Sequence, residues 1–218
     1  AYTFLKTIAA TSDWEQLKAL GPGLARITSK VQQDQARSLA DAFLKAIAAT
    51  THSYQLEALG QGLAVIVGKV PEDQAMGLVH TFLKTTAATP DPGQLAALGQ
   101  GLAVITGNVP QDQAMGLVQT FLTTIAATPH SDQLELLGQA LAPIARKVPE
   151  DQATDLVALF LRAFAATTDP DKLGALGRGF APIGDKVPED KSAGLAKTYL
   201  NTIATTYPSD PESLGQGL

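Results

Sequence analysis

The sequence predicts an all-α fold, an α-solenoid in which one helical unit recurs every 39 residues. Two patterns carry this prediction: an aromatic residue followed by leucine recurs at that interval, and a Leu-Gly pair keeps the same phase without insertion or deletion. The aromatic-leucine pairs begin at Phe4, Phe43, Phe82, Phe121, Phe160 and Tyr199. A third observation is that two copies are nearly identical, with LGQGLAVI at both 59–66 and 98–105. We therefore expect a single array over residues 1–218, with about five and a half units that begin near those aromatic residues and contain two or three helices each.

The second half of each unit is predicted to be an amphipathic helix, as the segment 110–128 illustrates. Its apolar residues recur at helical spacing and fall on one face. They are Ala114, Leu117, Val118, Phe121, Leu122 and Ile125. Proline is expected at the first helical position, where the missing N–H has no partner in any case, and acidic residues in the first turn complement the helix dipole. The prolines are Pro71, Pro110, Pro149 and Pro188, and the recurring acids are Asp34, Asp73, Asp112, Asp151 and Asp190.

The first half of each unit has a different pattern, which the segment 91–109 shows: an Asp-Pro start, leucines, and then glycines at 99 and 101. Two glycines inside one exposed helix cost about 1–2 kcal/mol relative to alanine. Pro143 and Pro182 follow the equivalent glycines by five residues, a position that suits the first turn of a new helix. We therefore predict a short helix, a glycine break and a second helix. The alternative is one kinked helix whose glycines let a neighbouring helix approach closely.

With this period, helix count, glycine-containing first half and proline-initiated last helix, the unit resembles the armadillo and HEAT class of α-solenoid repeats. The resemblance covers the whole chain and implies a right-handed superhelix whose last helices line the inner, concave surface. Proteins of this class serve as scaffolds and adaptors and, rarely, as enzymes that act on DNA. Armadillo peptide-binders carry a ladder of asparagines on the last helix, whereas this chain has one comparable residue, Asn201.

Composition and charge narrow the classes of function. Apolar residues make up 45% of the chain and charged residues 17%, which favours a packed fold over disorder. The formal net charge is −5 and no run of Lys or Arg forms a basic stripe, so nucleic acid is not expected as a partner. There is no cysteine, which excludes disulfides and thiolate metal sites. The most apolar stretch, 156–166, is about half a membrane span and contains Arg162, so we expect no membrane insertion.

No residue pattern predicts catalysis, a cofactor or a metal site. His52 and His130 occupy equivalent turns two units apart, where aspartate stands in other copies, and we interpret them as solvent-exposed turn histidines beside a capping serine. The threonines that end the last helices lack an accompanying base, and the GxG strings do not follow a strand. Trp14, the only tryptophan, is interpreted as the cover of an exposed repeat end, with a contact anchor as the alternative.

Exposed positions that vary between copies are where a repeat protein acquires a partner. On the last helix, such positions lie four residues apart and form a polar ladder along the array. The polar ladder consists of Asp41, Lys45, His80, Lys84, Gln119, Thr123, Ala158, Arg162, Lys197 and Asn201. It holds four cations against one acid. We therefore predict a non-enzymatic scaffold that binds an acidic peptide or protein segment through the concave face.

Other interpretations of the same pattern stay open. The polar ladder is alternatively a solvated face, in which Asp41 and Lys45 form an ordinary helix salt bridge. The chain opens inside a unit and leaves the repeat phase after Thr206, so we expect a fragment of a longer array, and end-to-end self-association is a second alternative. A designed or consensus-derived array is a third, because near-identical copies fit it.

Overall fold

A computed structural model describes Arg26, residues 30–186 and Lys197. This part of the chain contains eight α-helices, joined by short turns and 3₁₀ segments, and no strand, which confirms the all-α class. The chain divides into two compact units, Ala1–Pro110 and Gln111–Leu218, and each is described by itself. The predicted features at Phe4, Trp14 and Asn201 lie outside the described residues.

The helices alternate between the two sequence patterns. In the first unit they are α1 (Gln33–Ala49), α2 (Ser53–Val67), α3 (Glu72–Ala87) and α4 (Pro92–Gly107). In the second unit they are α5 (Ala114–Ala127), α6 (Ser131–Lys147), α7 (Ala153–Ala165) and α8 (Pro170–Phe180), with 3₁₀ segments at Gln111–Gln113, Glu150–Gln152 and Ala181–Lys186. We call α1, α3, α5 and α7 the phenylalanine helices, and α2, α4, α6 and α8 the glycine helices.

The phenylalanine helices bury the face that the sequence predicts. In α5 the buried residues are Ala114, Leu117, Val118, Phe121, Leu122 and Ile125, so that prediction is confirmed residue by residue. The four phenylalanines that name these helices are fully buried and are spaced 39 residues apart: Phe43, Phe82, Phe121 and Phe160. Burial of each ring contributes about 1.5–3 kcal/mol. These rings are the largest fully buried side chains among the described residues.

Within the described residues, the recurring prolines precede the phenylalanine helices and do not occupy their first helical position. Pro71 is the N-cap of α3, with an extended ψ of 146°, and the helix begins at Glu72. Pro149 likewise caps a 3₁₀ segment, and α7 begins only at Ala153. The placement at the first helical position is therefore wrong for Pro71 and Pro149, because their backbone is extended at ψ. It is also wrong for Pro110, which precedes the 3₁₀ segment Gln111–Gln113, whereas Pro188 lies outside the described residues. Glu72 and Asp73 do lie in the first turn, where their charge complements the helix dipole.

The prediction that a glycine break divides the first half of each unit into two helices is wrong for three of the glycine helices. Each of α2, α4 and α6 is a continuous α-helix through its glycines, and α6 also continues through Pro143. The single-helix alternative is therefore correct for these three helices. Only α8 changes character, because α-helix ends at Phe180 and a 3₁₀ segment that contains Pro182 follows.

Close backbone contact explains why glycine stands inside these helices. A Cβ atom on Gly60 of α2 would lie 3.0 Å from the Cα of Ala97 in α4. In the second unit, a Cβ atom on Gly138 of α6 would lie 2.7 Å from the Cα of Ala175 in α8. The glycine helices of each unit thus pack backbone against backbone, and this contact offsets the intrinsic cost of glycine in a helix.

Polar side chains form hydrogen bonds with backbone groups at several helix ends. Asp91 and Asp169 are N-caps whose carboxylates accept hydrogen bonds from backbone N–H groups of α4 and α8. His52 and His130 are exposed, as expected, but they occupy the N-cap position themselves and make no capping bond through their side chains. The expectation of a capping serine is wrong, because Ser53 and Ser131 are the first residues of their helices. At the other end, the Thr128 hydroxyl donates to the carbonyl of Thr124 at 2.8 Å. These histidines and threonines therefore occupy the ends of helices.

A second set of hydrogen bonds joins residues that are distant in the chain, and the sequence analysis did not predict these bonds. The Gln94 amide donates to the carbonyl of Thr50 at 2.7 Å, and Lys172, two repeat intervals further on, donates to the carbonyl of Ala126 at 2.7 Å. Both bonds satisfy carbonyls at or just beyond the C-terminal end of a phenylalanine helix. The available signal was the recurrence of Gln16, Gln55, Gln94 and Gln133 at the 39-residue interval.

Gly138→Ala is expected to lower the unfolding free energy by about 1–2 kcal/mol, because the new methyl group overpacks the contact with Ala175. Gly116→Ala is the matched control, since nothing lies within 4 Å of a Cβ at that helical position. The control is expected to stabilise the protein by up to about 1 kcal/mol through helix propensity alone. Urea unfolding followed by circular dichroism measures both, and equal effects of the two substitutions would show that the backbone contact is not limiting.

Candidate functional site

The described residues of the polar ladder lie on the solvent side of the phenylalanine helices. Asp41 is half-buried, and the other ladder residues within 30–186 are exposed. Those exposed residues are Lys45, His80, Lys84, Gln119, Thr123, Ala158 and Arg162. Lys197 is also exposed, whereas Asn201 lies outside the described residues. The ladder positions follow the buried phenylalanines by two residues or precede them by two, which turns them away from the core.

The one acid of the polar ladder has a different partner from the one expected. Asp41 forms a salt bridge of 3.3 Å with Arg37, one turn earlier on α1, and the expected pair with Lys45 is wrong. Lys45, Lys84 and Arg162 form no side-chain hydrogen bond or ion pair with any described residue. Among the described residues, these three cations are therefore unpaired, while the acid of the ladder is already neutralised.

Arg37 is a residue that the sequence analysis did not single out. Its guanidinium reaches from α1 to α3, where Nη1 donates to the carbonyl of Gln74 at 2.9 Å and Nη2 donates to the Thr81 hydroxyl at 3.5 Å. A Cβ atom on Gly77 would lie 3.2 Å from Nη1, so glycine leaves room for the side chain. Arg37 thus fills the space between the two phenylalanine helices of the first unit. The signal in the sequence was a charged residue at a position where the next two copies carry Met76 and Met115.

The second unit has an open groove at the corresponding place. Between α5 and α7 lies a cavity of about 280 Å³ that we call the Met115 groove. It is lined by Met115, Gln119, Gln152, Asp155, Ala158, Leu159 and Arg162. Met115 stands where Arg37 stands two repeat intervals earlier, so the side chain that fills the space in the first unit is replaced by a shorter apolar one. Three ladder residues, Gln119, Ala158 and Arg162, meet in this groove, whereas Thr123 does not line it.

The Met115 groove combines apolar and polar groups. Met115, Ala158 and Leu159 supply apolar surface, and the amides of Gln119 and Gln152 stand with them. The groove also holds one acid and one base, Asp155 and Arg162, which are seven residues apart on α7 and thus about 10 Å apart along its axis. None of the four polar side chains makes a hydrogen bond or ion pair with the described part of the chain.

Over the described ranges, no three or more His, Asp or Glu side chains are placed to hold a metal ion. No described helix combines the length and apolar character needed to cross a membrane.

Comparisons with known proteins do not assign this chain to a family. The sequence matches no protein-family model and no curated protein. Among solved structures, the crystal structure of an engineered protein, a Northeast Structural Genomics Consortium target, is similar to this chain at 17% identity. The match covers 93% of this chain and 97% of that chain, with a TM-score of 0.42.

Arg37→Met is expected to lower the unfolding free energy by about 1–2 kcal/mol, because it removes the bond to Gln74 and leaves Asp41 without its ion-pair partner. Lys45→Met, on the same helix, is the control that removes an unpaired cation and is expected to cost less than about 0.5 kcal/mol. Urea denaturation provides the comparison. Equal losses for the two variants would contradict a bridging role for Arg37.

Proposed function

We propose that this protein is a non-enzymatic interaction scaffold that binds an acidic peptide or partner segment through the exposed face of its phenylalanine helices. The observation that carries the proposal is the state of the ladder charges. Lys45, Lys84 and Arg162 have no partner among the described residues, and the ladder's one acid is neutralised by Arg37. No cofactor takes part in this function.

The polar ladder has the opposite sign to the net charge of the whole chain. The formal net charge is −5, yet the unpaired ladder charges in the described ranges are positive. A positive patch on an acidic protein attracts an acidic partner and disfavours a basic one, so it provides specificity as well as a faster association. An acidic protein segment meets both requirements.

The proposal includes an architecture that suits such binding. The phenylalanine helices belong to a right-handed α-solenoid of about five and a half units, and their exposed face lines its concave surface. The support for this arrangement is the 39-residue interval of the sequence together with the full burial of Phe43, Phe82, Phe121 and Phe160 at that interval. A concave surface presents successive ladder positions to one extended partner.

End-to-end self-association is the competing hypothesis, and it depends on terminal residues outside the described ranges. Light scattering after size exclusion separates the two hypotheses. A mass that stays at 22.7 kDa over a wide concentration range agrees with a monomeric scaffold, whereas a mass that grows with concentration favours assembly.

Arg162→Glu is expected to weaken binding of acidic peptides by about tenfold or more, because it places a like charge against the partner's carboxylates. The peptides are to be selected from a displayed library of random sequences, and their affinities measured by fluorescence anisotropy at low and high salt. Affinity is expected to fall as salt rises, since exposed charges are screened.

The matched control is Arg146→Glu, which makes the same charge change at an exposed residue of the glycine helix α6. It is expected to leave the affinity within about twofold, because Arg146 lies on the other set of helices. Selected peptides that carry no excess of acid, or an equal loss of affinity in both variants, would argue against the proposed face.

A further inference from the structure

We infer that the Met115 groove is the anchor of this interaction: it takes one apolar side chain of an acidic peptide, and a neighbouring carboxylate of that peptide binds Arg162. The inference rests on the proposed function and deepens it, because it names the place on the surface and the chemistry of the peptide. It also limits the anchor to the second unit.

The size of the groove selects the kind of ligand. Its volume of about 280 Å³ is just below the range of about 300–1,000 Å³ that small-molecule sites occupy. One or two side chains of a peptide match this space better than a complete cofactor does. Met115 adds an unbranched, flexible thioether, the type of side chain that adapts to apolar partners of different shape.

The polar groups of the groove select the residue beside the anchor. Arg162 presents a guanidinium without a partner in the described chain, and such a group binds a carboxylate through two parallel hydrogen bonds. The amide groups of Gln119 and Gln152 have hydrogen-bonding capacity left for the peptide backbone. A glutamate or aspartate next to a leucine-like side chain fits these groups.

Asp155 gives the bound peptide a direction. It lies about 10 Å from Arg162 along α7, toward the N-terminal end of the helix, and repels a carboxylate there. The acidic residue of the peptide therefore lies at the Arg162 end of the groove. The part of the peptide near Asp155 is neutral or basic.

The first unit shows what closes such a groove. There the side chain of Arg37 crosses between α1 and α3 and bonds to Gln74 and Thr81. The positions that correspond to Gln74, Gly77 and Thr81 in the second unit are Gln152, Asp155 and Leu159, all of which line the open groove. Arginine at position 115 is therefore expected to fold across the space and block it, with Asp155 as a nearby counter-ion.

The test uses the library-selected peptides and the two methionines of the chain. Because Met76 and Met115 are the only methionines, a protein labelled with ¹³C at the methionine methyl groups gives two methyl signals from this chain. Addition of a selected peptide is expected to shift the signal of Met115 and to leave that of Met76 in place. Substitution of each methionine by leucine assigns the signals.

Met115→Arg is expected to weaken peptide binding by about tenfold or more, while Met76→Arg, the same charge change on α3, alters it by less than about twofold. Arg37 shows that the repeat accommodates an arginine at this equivalent position. Circular dichroism checks that each variant is folded. Leu159→Thr is the second variant. It removes apolar surface without adding charge, and it introduces the residue type that stands at the equivalent position of the first unit, Thr81. It is expected to weaken binding by about threefold to tenfold.

The possible results separate this inference from the function on which it rests. Peptides that lose affinity with Arg162→Glu but bind Met115→Arg normally, without a shift of the Met115 signal, overturn the anchor and leave the scaffold intact. Selected peptides that lack an apolar residue beside an acid also overturn it. A library that yields no acidic binder at all defeats both proposals.

Discussion

The structure within each unit depends on backbone contact between glycine helices. Gly60 against Ala97, and Gly138 against Ala175, bring two helices so close that even one methyl group on the glycine would meet the neighbouring backbone. Close packing of this kind gains dispersion contacts along both helices and offsets the lower helix propensity of glycine. It also explains why these helices run without interruption through residues that usually weaken a helix.

The phenylalanine helices meet in a different way, and the difference creates the functional surface. Their buried faces supply the large aromatic core residues, while between their exposed faces there is room for a side chain. Arg37 takes this room in one unit, and the Met115 groove leaves it open in the other. Exchanges of residue type at equivalent repeat positions, such as Arg37 against Met115 and Thr81 against Leu159, thus distinguish a closed polar bridge from a groove with apolar surface.

Carbonyl groups at helix ends are satisfied by side chains that come from far along the chain. Gln94 and Lys172 reach the ends of phenylalanine helices, and Lys69 donates to the carbonyl of Val31 at 3.0 Å. Such bonds remove unpaired polar groups from partly buried turns, where each would otherwise destabilise the fold. Because these bonds and the aromatic core hold the fold, the exposed ladder positions are free to vary between copies.

The sequence by itself determined the helical class and the buried face of each phenylalanine helix, because both follow from spacing along a single helix. The burial of Phe121 and Ile125 required no knowledge of distant residues. Continuity of the glycine helices, the pairing of Asp41 with Arg37 instead of Lys45, and the opening of the Met115 groove were decided only by the tertiary structure. The reason is physical: the glycine contacts, the Arg37 bonds to α3 and the groove join residues about one repeat interval apart in sequence, and local propensity carries no information about such contacts.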